Sequence, residues 1–213
     1  DASIIDRLVD SGNDDTGENG YRLNIRGNGE IWATFGTACC NDVAKTSTDF
    51  YNTGEWVHIT GVFKNSNYVK LYINGILIES TSTSRTFNTN KSLEFGRYYP
   101  TGGDNEYFNG SMDEVTIWNV ELTESQIQSY MSTPPTGSES GLVGYWNFNE
   151  GTGTTLTDQT TNDNDGTIYG ATWDTANGVN STVSGTFTYS PTANYNGSDS
   201  FVYSASDGAL SDT

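Results

Sequence analysis

Asn74-Gly75 sits between two apolar runs, YVKLYI at 68–73 and ILIE at 76–79. Asn-Gly in that setting is the strongest short-range signal for a β-hairpin, because both central positions of a type I′ turn need φ > 0. A two-residue loop pairs Ile73 with Ile76 and Leu71 with Ile78. One face then carries Val69, Leu71, Ile73, Ile76 and Ile78, while the other sets Lys70 across from Glu79 and Tyr72 across from Leu77. One side is apolar and the other half wet. Such a pair belongs in an antiparallel sandwich, not in a parallel sheet.

The rest of the chain repeats this idiom. Residues 4–9 read as a short strand, and 21–26 with 30–36 form a second hairpin about Gly27-Asn28-Gly29. Alternation puts Tyr21, Leu23 and Ile25 on one face, and Ile31, Ala33 and Phe35 on one face of the partner. A long loop is expected over 37–53, then strands over 92–96, 113–119, 141–148 and 167–173. One helix is predicted. Thr123 serves as its N-cap, Gln126 completes a capping box, Leu122 and Ile127 occupy the staple positions, and Pro134-Pro135 stops it. The fold class is all-β: a two-sheet antiparallel sandwich with one short helix.

Three blocks carry a resemblance. They are Trp56-Val57-His58 leading into LYINGILI, the block FNGSMDEVTIW at 108–118, and GLVGYWNFNEG at 141–151. Together they resemble the LamG-like jelly rolls of the concanavalin A-like lectin/glucanase superfamily, over residues 1–176. In relatives the 141–173 block often opens the jelly roll, so the domain reads as permuted or truncated at its start. From 177 to 213 the chain changes character. The runs GTFTYSP at 185–191 and NYNGSDSFVY at 194–203 resemble part of a bacterial Ig-like or cadherin-like repeat. An Ig sandwich needs about 100 residues, so only a few of its strands are present. The resemblance implies a slice of a long multidomain protein, extracellular or on the cell surface, with further domains of the same polypeptide as neighbours.

Charge narrows the partners. Nine basic residues stand against 27 acidic ones, a formal net charge of −18, which repels phosphate backbones and argues against nucleic acid. No apolar run reaches membrane-spanning length. The first residues are not a signal peptide, and the chain opens as if in mid-strand. Cys39 and Cys40 are adjacent, so they are either two thiols or a strained vicinal disulfide.

Catalysis finds little support. Glycosidases of this superfamily set paired carboxylates on one strand, about 5–5.5 Å apart in retaining enzymes, and the stretch Met112-Asp113-Glu114-Val115-Thr116-Ile117 lacks their spacing. The only histidine, His58, has no recognisable nucleophile and orienting partner, and the family pattern has it there for packing. Two binding sites are candidates. The loop 158–166, DQTTNDNDG, packs oxygen donors into a turn. It reads either as a set of Asx turns or as a calcium loop, with Asp158, Asn162, Asn164, Asp165 and the more distant Asp113 as ligands. Asp14, Asp15 and Glu18 form a second acidic cluster, read as a solvated loop. Tyr98, Tyr99 and Tyr107 flank a Gly-rich loop and serve either as core aromatics or as a platform for a sugar. The expected function is a non-catalytic binding or adhesion module, with a glycan as ligand and calcium as a structural cofactor. An accessory module of a polysaccharide-degrading enzyme and a structural spacer are the alternatives. On this reading the protein releases no reducing ends from laminarin. Release that disappears in Glu114→Gln would overturn it.

Overall fold

The computed structural model describes residues 5–10, 20–36, 41–48, 50, 56–87, 93–98 and 106–174, with the backbone of two short strands at 205–206 and 211–212. The strands β1 (Ile5–Asp10), β2 (Gly20–Arg26), β3 (Ile31–Gly36), β4 (Asn41–Lys45), β5 (Ile59–Lys64), β6 (Tyr68–Ile73), β7 (Ile76–Ser82) and β8 (Glu94–Phe95) build two antiparallel sheets. One has the order β4-β3-β2-β1-β8 and the other β5-β6-β7. Their inner faces meet in a single apolar seam. Ile25, Ile31, Ala33, Phe35 and Ala44 from the first sheet lie against Val69, Leu71 and Ile73 from the second, and all eight are buried. Each fully buried large aliphatic or aromatic chain here stabilises the fold by roughly 1.5–3 kcal/mol. Rings stitch the sheets together at one side. Tyr21 stacks on Phe63 at 5.1 Å, and Phe63 meets Phe35 edge-on at 6.1 Å.

The hairpin at Asn74-Gly75 forms as expected, with Ile73 opposite Ile76 and Tyr72 opposite Leu77. Asn74 and Gly75 adopt φ of 49° and 73°. Beyond Leu77 the register differs from the simple pairing. A bulge sets Leu71 opposite Glu79 and Lys70 opposite Ser80, so Ile78 has no cross-strand partner and is partly exposed. The physical reason lies across the sandwich. With the bulge, Glu79, Thr81 and Thr83 share the inward row, where they reach the free edge of β4. The Lys45 N–H donates to Glu79 Oε2 at 2.7 Å, Thr81 Oγ1 donates to the Val43 carbonyl at 2.8 Å, and Thr83 Oγ1 donates to Asp42 Oδ2 at 2.6 Å. Arg85 adds an ion pair to the same Asp42 carboxylate at 3.2 Å. A polar row thereby covers an edge that would otherwise offer bare ladder groups. The β4 strand itself lies inside what the sequence reads as a loop. Its polar residues, NDVAK, suit this covered edge and give a weak strand signal.

The remaining elements are β9 (Arg97–Tyr98), β10 (Glu106–Tyr107), β11 (Val115–Trp118), α1 (Glu124–Ser132), β12 (Leu142–Trp146), β13 (Thr155–Leu156) and β14 (Gly166–Thr167). The pairs β15 (Ala205–Ser206) and β16 (Ser211–Asp212) form one short antiparallel ladder. Only the start of the expected 167–173 strand is strand. The helix carries the predicted capping box: the Gln126 N–H donates to Thr123 Oγ1, and the Thr123 N–H donates to Gln126 Oε1 at 2.9 Å. It lies on the hairpin turn. Gln128 Nε2 donates to the Gly75 carbonyl at 3.1 Å, and Trp118 on β11 stacks on Tyr130 at 5.2 Å. Glu121, just before the helix, takes Lys70 at 2.7 Å and the Tyr68 hydroxyl, tying the outer face of β6 to the same connection.

Gly75 therefore answers two demands at once. Its φ is positive, and a Cβ there would lie 2.6 Å from Gln128 Cγ and 3.1 Å from Met131 Sδ. Gly75→Ala is expected to destabilise the protein by about 2 kcal/mol or more, because backbone strain and the clash with α1 add. Denaturant melts of that variant against Gln128→Ala separate the two causes. An unchanged midpoint for Gly75→Ala would show that neither constraint acts.

Candidate functional site

The 141–174 block meets the sandwich through β12. Val115 pairs with Trp146, Thr116 with Tyr145 and Ile117 with Gly144. The Trp146 ring packs edge-on to Phe95 of β8 at 5.0 Å. Gly144 makes room for it, since a Cβ there would sit 2.4 Å from the ring. Beneath this pair, the Tyr145 hydroxyl donates to Glu114 Oε2 at 2.5 Å. Burial, then the Glu114 carboxylate, push the Tyr145 phenol well above its ordinary range, with Asp113 and Glu139 adding in the same sense. The sequence does not single out this part-buried Tyr145–Glu114 pair. Its only signals are the apolar run LVGYW at 142–146 and, far from it in the chain, the acidic DEV stretch at 113–115.

On the other edge of β12 lies the loop expected to hold calcium. Asp158 bridges to Trp146 and is buried. Its Oδ1 accepts the N–H groups of Tyr145 and Thr160, each at 3.0 Å. Its Oδ2 accepts the Thr160 hydroxyl at 2.9 Å and the Asn164 N–H at 3.0 Å. The Asn162 and Asn164 side-chain amides both donate to the Val143 carbonyl, at 3.0 and 2.9 Å, and Asp165 Oδ1 accepts the Asp158 N–H at 2.9 Å. Trp146 Nε1 donates to the Asn164 carbonyl at 3.1 Å. The structure thus brings Asp158, Asn162, Asn164 and Asp165 into one loop and leaves Asp113 across β12, beside Tyr145. Asp113 Oδ1 accepts the N–H of Glu114 at 2.9 Å.

That arrangement does not fit a calcium ion. Both oxygens of Asp158 already hold two donors each, and a cation would have to displace backbone N–H groups left without partners. Among the described residues, no group of three His, Cys, Asp or Glu side chains is placed to hold a metal. The loop works instead as a latch that fastens 158–165 to β12. A second latch abuts it: Glu139 accepts the Thr136 N–H at 2.7 Å and the Gly137 N–H at 3.0 Å, and Gly137 packs against the Gln159 carbonyl.

The other expected positions are less informative. Asp14, Asp15, Glu18, Cys39, Cys40 and Tyr99 lie outside the described residues. Tyr98 pairs with Glu106 and Tyr107 with Arg97, so the two tyrosines occupy consecutive rungs of the β9–β10 ladder rather than facing positions. His58 sits beside the hairpin turn, where its backbone N–H donates to Asn74 Oδ1 at 2.9 Å and burial lowers its imidazole from the ordinary range.

The latch has a pH signature. Burial alone would push the Asp158 carboxyl up, but the donors from Tyr145, Thr160 and Asn164 outweigh it and hold the group below the usual range. A depressed folded pKa contributes stability above the unfolded value of about 3.9, and that contribution is lost as pH falls through the folded one. Asp158→Asn should therefore cost about 2–4 kcal/mol at pH 7 and flatten the acid limb of the stability curve. Melts in millimolar calcium and in EDTA should coincide at matched ionic strength. A calcium-dependent midpoint that Asp158→Asn abolishes would restore the ion to this loop.

Comparison with known proteins adds the family. No curated protein matches the chain. A solved structure from Bacteroides ovatus, of a protein provisionally assigned as carbohydrate-binding, is similar at a TM-score of 0.54 and 21% identity, over 78% of this chain and 51% of that one. The chain thus spans about half the length of that relative, and at this identity the likeness concerns fold alone. An S-layer domain-containing protein of Clostridium thermocellum matches at a TM-score of 0.32 and 17% identity, over 61% of this chain and 64% of that one. The model of a bacterial Ig domain matches residues 133–213. Residues 2–128 match the laminin G-type model of the concanavalin A-like lectin/glucanase superfamily, and to that superfamily the chain belongs.

Proposed function

We propose that this chain is a non-catalytic, carbohydrate-binding segment of a bacterial extracellular or cell-surface protein. The observation that carries the reading is the concanavalin A-like sandwich in which four acids, on or beside its strands, are engaged in holding the fold. Glu30 binds Lys45 and the Trp32 indole, Glu79 covers the β4 edge, Glu114 holds the Tyr145 hydroxyl, and Asp158 latches its loop. A retaining glycosidase needs two carboxyl groups facing one substrate from about 5–5.5 Å apart. Acids already bound to protein donors are poor candidates for that task. Similarity to a bacterial Ig domain supports the surface setting, since such domains repeat along extended proteins. The relative assigned as carbohydrate-binding supports the ligand class. On this reading the sandwich runs from 1 to 176 and the Ig-like part proper begins at 177; the pairing of 142–146 with 115–118 supports the inclusion of β12.

Native gels cast with soluble polysaccharides test this directly. The protein should be retarded by at least one of laminarin, xylan, galactomannan and hydroxyethyl cellulose, with no new reducing ends appearing on incubation. Free migration in all four gels favours a spacer and overturns the proposal.

A further inference from the structure

We propose that the saccharide binds at Tyr169 and Trp173, on the rim of the 141–174 block, rather than at the tyrosines near β9 and β10. The proposal rests on the carbohydrate-binding reading above and gives it a place. Tyr169 exposes 80% of its surface, the most of any large apolar or aromatic side chain among the described residues. Exposure alone would say little, but the backbone beneath it is fixed. Thr155 pairs with Thr167 and Leu156 with Gly166, and Leu156 is buried below them. The Ile168 N–H donates to the Thr154 carbonyl at 2.8 Å, and the Trp173 indole N–H donates to the Gly153 carbonyl at 2.9 Å. Two consecutive carbonyls thus hold both arms of the 168–173 segment, which keeps Tyr169 and Trp173 on one rim, and the indole is pinned by its nitrogen.

The surroundings favour a sugar over a protein. The rim is made of glycine and threonine: Gly153, Thr154, Thr155, Thr167, Gly170 and Thr172 are all exposed. Among the described residues, a Cβ built on Gly153 or Gly170 meets nothing within 4 Å, so these leave open ground on the rim. Protein interfaces centre on an apolar cluster, whereas here aromatic faces stand among hydroxyls and backbone groups. That mixture matches a pyranose, whose C–H face stacks on the negative face of an aromatic ring while its hydroxyls bond at the edge. Tyrosine presents this area with little conformational entropy to lose. The net charge of −18 disfavours acidic glycans, so the ligand class is a neutral polysaccharide.

The test runs the same four polysaccharide gels with Tyr169→Ala, Tyr169→Phe and Trp173→Ala, with melting temperatures as the folding control. Tyr169 has a side chain in solvent, so Tyr169→Ala should melt like the parent. The expected result is retardation of the parent, a loss of roughly tenfold in affinity for Tyr169→Ala, equivalent to ~1.4 kcal/mol, and recovery in Tyr169→Phe. Trp173→Ala should weaken binding as well, and Trp173→Phe serves in its place if the alanine variant fails to fold. Parent-like retardation of Tyr169→Ala would overturn this site while leaving carbohydrate binding standing. Free migration of the parent itself would overturn both.

Discussion

Three polar side chains on β7 and just past its end decide how the two sheets close. Glu79, Thr81 and Thr83 face inward only because β7 gains a residue at Ile78, and they then meet the β4 edge with a donor or acceptor at each step. Without the bulge that row would be Ile78, Ser80 and Ser82, and the Lys45 N–H would face an apolar side chain in place of the Glu79 carboxylate. The apolar seam between Ile31, Ala33, Phe35 and Val69, Leu71, Ile73 supplies most of the cohesion. That seam is non-directional. The polar row fixes how far the second sheet slides along the first, and so where the Asn74-Gly75 turn meets α1.

The seam was legible in the sequence because alternation is a period-two signal that burial on one face enforces. Tyr21, Leu23 and Ile25, the Ile31–Phe35 row and the Val69–Ile73 row all lie where that pattern sets them. The helix was legible for a different reason: Thr123 and Gln126 satisfy each other locally, so their geometry needs nothing from the rest of the fold. The bulge was not legible. A straight register gives Ile78 an inward place, and only the distant β4 edge makes Glu79 the better occupant. The β4 strand escaped for the same cause, since its stability comes from neighbours on both sides rather than from apolar content.

The loop at 158–165 shows why a list of oxygen-bearing residues is ambiguous. Asp, Asn and Thr at such density describe a cation cage and an Asx-turn latch equally well. What separates them is the direction of backbone N–H groups, and side-chain identity does not record direction. Here the N–H groups of Tyr145, Thr160 and Asn164 all converge on Asp158. Three dipoles pointing inward make a site for the anion that is already there. The carboxylate is the guest of this loop, not its host.

The same logic bears on where one unit ends and the next begins. The Ig-domain model claims residues from 133 onward, yet 142–146 pair with β11, and Trp146 packs on Phe95 of the five-stranded sheet. A strand has two ladder edges. One edge of β12 is taken by Val115–Trp118; the other is met by Asp158, and the Gln159 N–H donates to the Tyr145 carbonyl. Backbone groups on both edges of β12 are thus engaged within the 115–165 segment. A likeness in sequence can straddle a boundary because Gly-rich, aromatic-bearing strands of all sandwiches are alike. Hydrogen-bond pairing is the more specific observation, and it ties 142–146 to 115–118.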